Sequence, residues 1–222
     1  MDVLIIGAGG HGKVVLDILR AAGRDKPIGF VDADISLAGT SIGGLPVLGP
    51  ANVLPKLRQQ KVRGALIAIG ENRTRLQYAA LLREQGFELV NAIHPSASVS
   101  ATAALGTNVV VAALAAVCTE ARLGDCVIVN TAAVIDHECI IDPGVHIAPG
   151  VHLAGRVRVG TCAFVGLGAN VIQCISIAEH ATIGAGAVVL QDVPAHATVV
   201  GVPGRIIKTG SPDERERPSG DA

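Results

Sequence analysis

A histidine and a glutamate stand side by side at His137 and Glu138, within the run NTAAVIDHEC. Such a pair can move protons: a carboxylate bonded to one ring nitrogen holds a single tautomer and makes the other nitrogen a better base. Cys139 follows at once, and a cysteine there could carry an acyl group as a nucleophile. His146 lies nine residues beyond His137. Near the start, GAGGHG sets Gly7, Gly9 and Gly12 in the spacing G-x-G-x-x-G, with Asp32 twenty residues further on. Glycines in that spacing let backbone N–H groups approach a pyrophosphate, and a following helix N-terminus adds partial positive charge. The acidic residue can hold a ribose or a base. The remaining histidines (His94, His152, His180 and His196) fall in corners or linkers of the pattern described next and need no special role.

The elements that must position the dyad are set by a repeat. Every sixth residue from Ile93 to Val189 is Ile, Val or Leu, seventeen positions in all. Two residues before each, the side chain is usually small, as at Ala97, Ala115, Ala133, Cys139, Ala163 and Ala181. Gly often follows the aliphatic residue, as at Gly106, Gly124, Gly160, Gly166 and Gly184. A helix would need a period of 3.6 and a half-buried sheet a period of 2. A period of six predicts a left-handed parallel β-helix: each hexad is one short strand and a corner, and three hexads make a triangular coil of about 18 residues. The aliphatic residue points inward, the small residue fits near the corner, and glycine is expected to relieve the tight turn. About five and a half coils are predicted, with no protruding loop.

In that frame His137 lies at or just past a corner, two residues after the inward Ile135. Strict strand alternation would send it and Glu138 to opposite faces, so their pairing requires a bend. His146 is half a coil away, on the opposite side of the prism. The two histidines either share a site between neighbouring subunits around a three-fold axis or are unrelated surface residues. Cys139 occupies the small-residue position, which points to packing.

Residues 1–91 read as a separate α/β unit with a parallel sheet. Residues 3–7 form a strand, GAGGHG a turn, and residues 13–23 a helix ending at Gly23. Residues 27–34 and 65–70 supply two more strands, residues 71–86 a second helix, and residues 87–93 a strand leading into the coil. The unit is about half the length of a full dinucleotide fold and holds one nucleotide. Its ligand is a nucleotide-diphosphate sugar, NAD, or none, and the length favours the first. The coil is assigned residues 92–208, and residues 209–222, rich in charge and proline, a disordered tail.

Composition narrows the function further. The formal net charge is −1 and there is no lysine or arginine run, which argues against a nucleic-acid partner. The longest uncharged stretch, residues 93–119, is interrupted by Ser, Thr, Asn, Pro and Gly and stays in phase with the repeat, so no membrane span is expected. The N-terminal apolar run is too short for a signal peptide, which points to the cytoplasm. Five cysteines without a CxxC spacing fit buried thiols in a reducing compartment and give no metal site.

With the repeat, GAGGHG and NTAAVIDHEC in view, the chain resembles the bacterial hexapeptide-repeat sugar acyltransferases related to the sialic-acid O-acetyltransferases. It is most similar to the branch that N-acetylates nucleotide-linked 4-amino-4,6-dideoxy sugars. The resemblance runs from Val3 to about Lys208. It implies an acetyl-CoA donor, a homotrimer, His137 as general base and Glu138 tuning it. It implies acetyl-CoA contacts at His146, Leu167, Ala185, Gly201 and Arg205. It implies nucleotide-sugar contacts at Gly9, Gly10, His11, Asp32, Gly70 and Asn130. Two departures stand out: Asp32 is followed by Ala33 where relatives carry a second acid, which leaves the nucleobase open, and Gly204 stands where Ala is usual. The expected reaction is direct attack of the sugar amine on the thioester. The alternatives are O-acetylation of a sugar hydroxyl and a non-catalytic coil with a nucleotide-sensing domain.

Overall fold

The structure is a computed structural model that describes residues 1–210. The tail from 211 onward lies outside the described residues. The chain begins with β1 (Asp2–Ile6), α1 (Gly10–Ala22) and β2 (Lys26–Val31). A hairpin follows, β3 (Ser41–Ile42) with β4 (Leu45–Pro46), and then the short helix α2 (Leu54–Gln59). Next come β5 (Gly64–Ile67), α3 (Asn72–Glu84) and β6 (Glu88–Leu89). The four longer-range strands form one parallel sheet in the order β2-β1-β5-β6. Helix α1 buries Val15, Leu16, Ile18 and Leu19 against it and stops at Gly23, which takes the left-handed conformation (φ 64°) that glycine adopts at least cost.

The second unit is a left-handed parallel β-helix. Its first face runs from Ala92–Ile93 to Ala197–Val200, its second from Ser98–Val99 to Val188–Val189, and its third from Ala104–Leu105 to Ser176–Ile177. Partners in the ladders are 18 residues apart, as in Val110↔Ile128 and Ala116↔Val134. Nearly all of the sixth-residue aliphatics are buried in one continuous core with the small corner residues. Each such side chain contributes roughly 1.5–3 kcal/mol on leaving water.

Three features differ from the sequence reading. The glycines that follow the aliphatic residues do not supply the turn. Every sixth residue from Asn108 to Gly186 has φ between 55° and 72°, and most of these are not glycine, Glu138 among them. Gly106, Gly124, Gly160 and Gly166 have ordinary φ. A Cβ there would stand 2.5–2.8 Å from atoms of the next coil, so glycine allows two coils to close up. Second, the last hexad is shortened: after Val189 the next rung residue is Val193, which bridges Ile177, and Val199 pairs with Ile183 at an offset of 16. The prism has about six coils, ended by an antiparallel strand, Arg205–Thr209, that runs one residue past the expected end of the unit. Third, the expected strand over residues 87–93 is two: β6 belongs to the first sheet and Ala92–Ile93 to the coil.

The two units share a core. Val110, Ala112 and Ile128 on the outward side of the first face pack with Val15, Leu19 and Phe30. Arg75 of α3 locks the junction. It is fully buried, with Nε donating to the carbonyl of Cys126 (2.8 Å), Nη1 to Ile69 (2.9 Å) and Gly70 (3.0 Å), and Nη2 to Gly144 (2.8 Å) and Val145 (3.4 Å). Nη2 also donates to Asn72 Oδ1 (2.9 Å), whose amide donates to the carbonyls of Cys162 and Ala163. Asn108, buried in a corner, exchanges bonds with the N–H and carbonyl of Ile67.

Candidate active site

The dyad forms on the corner between the second and third faces. Glu138 takes the left-handed conformation (φ 58°), which turns its side chain toward the one before it. His137 Nδ1 and Glu138 Oε2 are 2.9 Å apart, and both side chains are about half exposed. The ring therefore carries its proton on Nδ1 toward the carboxylate, with Nε2 left to accept. The backbone is pinned on both sides: His137 N donates to Asp136 Oδ1, Glu138 N to the Thr119 carbonyl, and Arg156 N to the His137 carbonyl. The ring lies over Gly155, the equivalent residue one coil on. Cys139 is buried, its Sγ donating to the Ala154 carbonyl, and burial pushes its thiol up to about 11. A thiol so placed packs and does not attack.

His146 is on the first face and joins a different group. Its ring is 6.4 Å from that of His11 and meets Phe164 edge-on at 5.3 Å. Asn130 Nδ2 donates to His146 Nε2 (3.3 Å), an orientation set by Thr131 N donating to Asn130 Oδ1 (2.8 Å). The ring also meets the backbone of Gly70. Burial, reinforced by the nearby Arg75 charge, pushes both His11 and His146 down to about 4, so both rings are neutral near pH 7. His11 Nε2 is buried with no hydrogen-bond partner.

The glycine turn sits beside this group. Gly7 has φ 107°, and a Cβ there would be 2.8 Å from the Ala68 carbonyl oxygen; a Cβ on Gly12 would collide with the Gly7 carbonyl oxygen. Gly9 caps α1 without a side-chain bond, Gly10 begins it, both are exposed, and the first turn itself holds no acid. Asp32 accepts from Ala8 N (2.6 Å) and Asp34 N (2.9 Å), so it shapes the turn with two of its lone pairs. A cavity of about 240 Å³ opens there between Asp32, Ala33, Ile69, Thr74 and Tyr78.

The structure thus gathers His11, Gly70, Asn130 and His146 near the glycine turn and leaves His137 and Glu138 on another edge of the prism. Leu167 and Ala185 are exposed on the corner between the first and second faces. Gly201 (φ 93°) and Arg205 are exposed at the last coil. Arg75, Asn72, Phe164 and Gly155 were missed from sequence. Only Gly155 left a signal, standing 18 residues after His137. Among the described residues no cluster of His, Cys, Asp or Glu is arranged to hold a metal, and no helix is long and apolar enough to cross a membrane.

Comparison with known proteins places these features in a family. Residues 2–82 match the PglD N-terminal domain. GDP-perosamine N-acetyltransferase of Escherichia coli O157:H7 is 31% identical over 202 residues, covering 89% of this chain and 81% of that protein. The structure of PerB from Caulobacter crescentus, in complex with CoA and GDP-perosamine, superposes with a TM-score of 0.89 at 44% identity, covering 93% of this chain and 97% of that one. The acetyltransferase domain of PglB from Neisseria gonorrhoeae, in complex with acetyl coenzyme A, gives 0.86 at 40% identity, covering 93% and 98%. The chain also matches serine acetyltransferases such as that of Bacillus pumilus, 53% identical over 45 residues, but spans only about a fifth of their length. A half-sized nucleotide fold docked on a left-handed β-helix, with likeness that runs through both units, means that this chain belongs to the hexapeptide-repeat N-acetyltransferases of nucleotide-linked amino sugars.

Proposed function

We propose that the protein transfers an acetyl group from acetyl-CoA to the 4-amino group of a nucleotide-linked dideoxy sugar, with His137 as general base. The observation that carries this is the 2.9 Å bond from His137 Nδ1 to Glu138 Oε2 on an exposed corner. It orients Nε2 to accept a proton, and the carboxylate stabilises the imidazolium that results. As the amine nitrogen bonds to the thioester carbonyl, its proton passes to Nε2 and the C–S bond breaks to release CoA thiolate. Thiolate leaves readily, so no acyl-enzyme is needed, in keeping with the buried Cys139. Base catalysis of this kind contributes roughly 10²–10⁴-fold, and positioning of both substrates much of the rest.

The nucleotide sugar is assigned to Gly9, Gly10, His11, Asp32, Gly70 and Asn130, and the acetyl thioester to His146. Acetyl-CoA is assigned to the corner of Leu167 and Ala185, with Gly201 and Arg205 above. Because His137 stands on one corner of the prism and His146 on the first face, the site is completed between subunits of a homotrimer. The second face fits the interface. Facing outward on it are Ala116, Val134 and Val188, together with Ser98, His152 and Asn170. Exposed Leu114 and Leu167 flank it on one edge and Ile172 and Leu190 on the other. Packing these faces around an axis sets the His137 corner of one subunit beside the Leu167 corner of the next. A GDP-linked sugar is the favoured acceptor, given the 44% identity to PerB, which was solved with GDP-perosamine.

The test is CoA release from acetyl-CoA, followed with a thiol reagent, across GDP- and UDP-linked 4-amino sugars, with free sialic acid alongside. Fast release with one amino sugar is expected. Silence on every amine, with release on a hydroxyl acceptor, would move the protein to O-acetylation.

A further inference from the structure

Beyond the dyad, the third face of the prism carries a group of cations that the transfer mechanism leaves unused. Arg122, Ile140, Arg158 and Ser176 stand in register on successive strands of that face. Arg122 and Arg158 are therefore two strand spacings apart, roughly 10 Å. Alongside, on the corner, Glu120, Glu138, Arg156 and Cys174 take the same left-handed position in successive coils. The two ladders wall a groove of about 510 Å³. All three arginines are exposed, and among the described residues none is ion-paired with a carboxylate. Arg156 is hydrogen-bonded to Cys174, and Glu138 is turned to the His137 ring.

We infer that this groove is a phosphate-binding subsite, formed by Arg122, Arg156 and Arg158, that tethers one substrate of the reaction at His137. Two guanidiniums on the face, Arg122 and Arg158, and a third beside them on the corner, Arg156, create a positive field, and each presents a planar fork that matches phosphate oxygens two at a time. The span of roughly 10 Å, with a guanidinium at each end, suits a phosphate or diphosphate group better than a single carboxylate. The groove shares Glu138 with the dyad, so an anion held on the strand side lies one side chain from the reacting atoms. The two glutamates stand at one end of the corner ladder and repel phosphate from it, which confines an anion to Arg156 and the two strand arginines. The inference rests on the proposed reaction only for the source of the phosphate: the CoA pyrophosphate, the CoA ribose phosphate, or the diphosphate of the nucleotide sugar.

The test is calorimetric binding of inorganic pyrophosphate, CoA, dephospho-CoA (which lacks the ribose phosphate), GDP and UDP to the full chain and to the Arg122→Gln/Arg158→Gln double variant. Both side chains are exposed, so the melting temperature should be unchanged. Pyrophosphate affinity is expected to fall about tenfold or more, the size of one or two lost charge-assisted bonds. A matching loss for CoA but not dephospho-CoA assigns the ribose phosphate. Equal loss for both assigns the CoA pyrophosphate, and loss for GDP or UDP alone assigns the nucleotide sugar. Pyrophosphate, CoA and nucleotides all binding the variant as they bind the parent would overturn the subsite, as would a parent protein that takes up no pyrophosphate. A parent that binds pyrophosphate through these arginines but no CoA would overturn acetyl transfer and leave the subsite standing.

Discussion

The imidazole of His137 rests against the α-carbon of Gly155, one coil further along, so closely that a Cβ there would press on Nε2 and stand 2.5 Å from Cε1. Gly155 has no left-handed φ, so alanine fits its backbone and would clash only with the ring. Gly155→Ala should therefore leave the fold intact, since the ring can swing away, and remove the base from its place. A fall in kcat of at least about 100-fold is expected, with nucleotide-sugar affinity near that of the parent. Steady-state kinetics beside a thermal melt would check this; full turnover would show that the ring position does not matter.

His137→Ala should lower turnover by at least about 100-fold with little loss of nucleotide-sugar binding. Glu138→Gln keeps the shape and can still meet Nδ1–H through its carbonyl oxygen, but loses the charge that stabilises the imidazolium. A loss of about tenfold or more, smaller than that of His137→Ala, is the expected result. Equal activity of Glu138→Gln and parent would reduce Glu138 to a bystander.

Arg75→Met would strip the hydrogen-bond donor from the carbonyls of Cys126, Ile69, Gly70, Gly144 and Val145 at the junction of the two units. Breaking such a buried charged network should cost on the order of 3–5 kcal/mol. Urea titration would report it as an early transition. Arg75→Lys keeps the charge with fewer directed donors and should fall between the two. An unchanged midpoint in Arg75→Met would mean that the apolar contacts alone hold the units together.

Stability should weaken in mild acid because of His11 and His146. Unfolded, each ring takes up a proton near pH 6.5; folded, burial and then the Arg75 charge delay this to about pH 4. Between those values the unfolded chain binds more protons, so stability is full above pH 6.5 and declines as the pH falls toward 4. Melting temperatures measured across that window should drop, and the drop should flatten in His11→Asn and His146→Asn. Carboxylates held low, such as Asp34 and Asp125, add their own loss only at lower pH.

How legible all this was depends on the range of each interaction. The coil could be read directly, because one residue type recurs at each inward position and the period is a property of the chain alone. The glycine turn was legible from its spacing between a strand and a helix; of its glycines, Gly12 avoids a clash five residues back, with the Gly7 carbonyl, whereas Gly7 avoids the distant Ala68 carbonyl on a neighbouring strand. The bend that joins His137 to Glu138 followed from its place after Ile135. The role of Gly106 and its counterparts was misread, since the clash they avoid is with a neighbouring coil. Arg75 left no trace in the pattern: an arginine in a helix reads as a solvated side chain until five carbonyls from three separate stretches of the chain converge on it. The segment from residue 35 to 62 stayed blank because its short hairpin and α2 have too few residues to show a period.

A stack of parallel rungs has no natural end, and a bare last rung is a template on which another chain could build. On the first face both ends are sealed by pieces that break the pattern. Helix α1 packs against the opening strand, Ala92–Ile93, and the reversed strand Arg205–Thr209 takes up the hydrogen bonds of Ala197–Val200. The shortened hexad before it spoils the spacing a further rung would need. These stops make a pattern that could grow without limit into a particle of fixed length, and a chain cut before Arg205 should be prone to fibre formation.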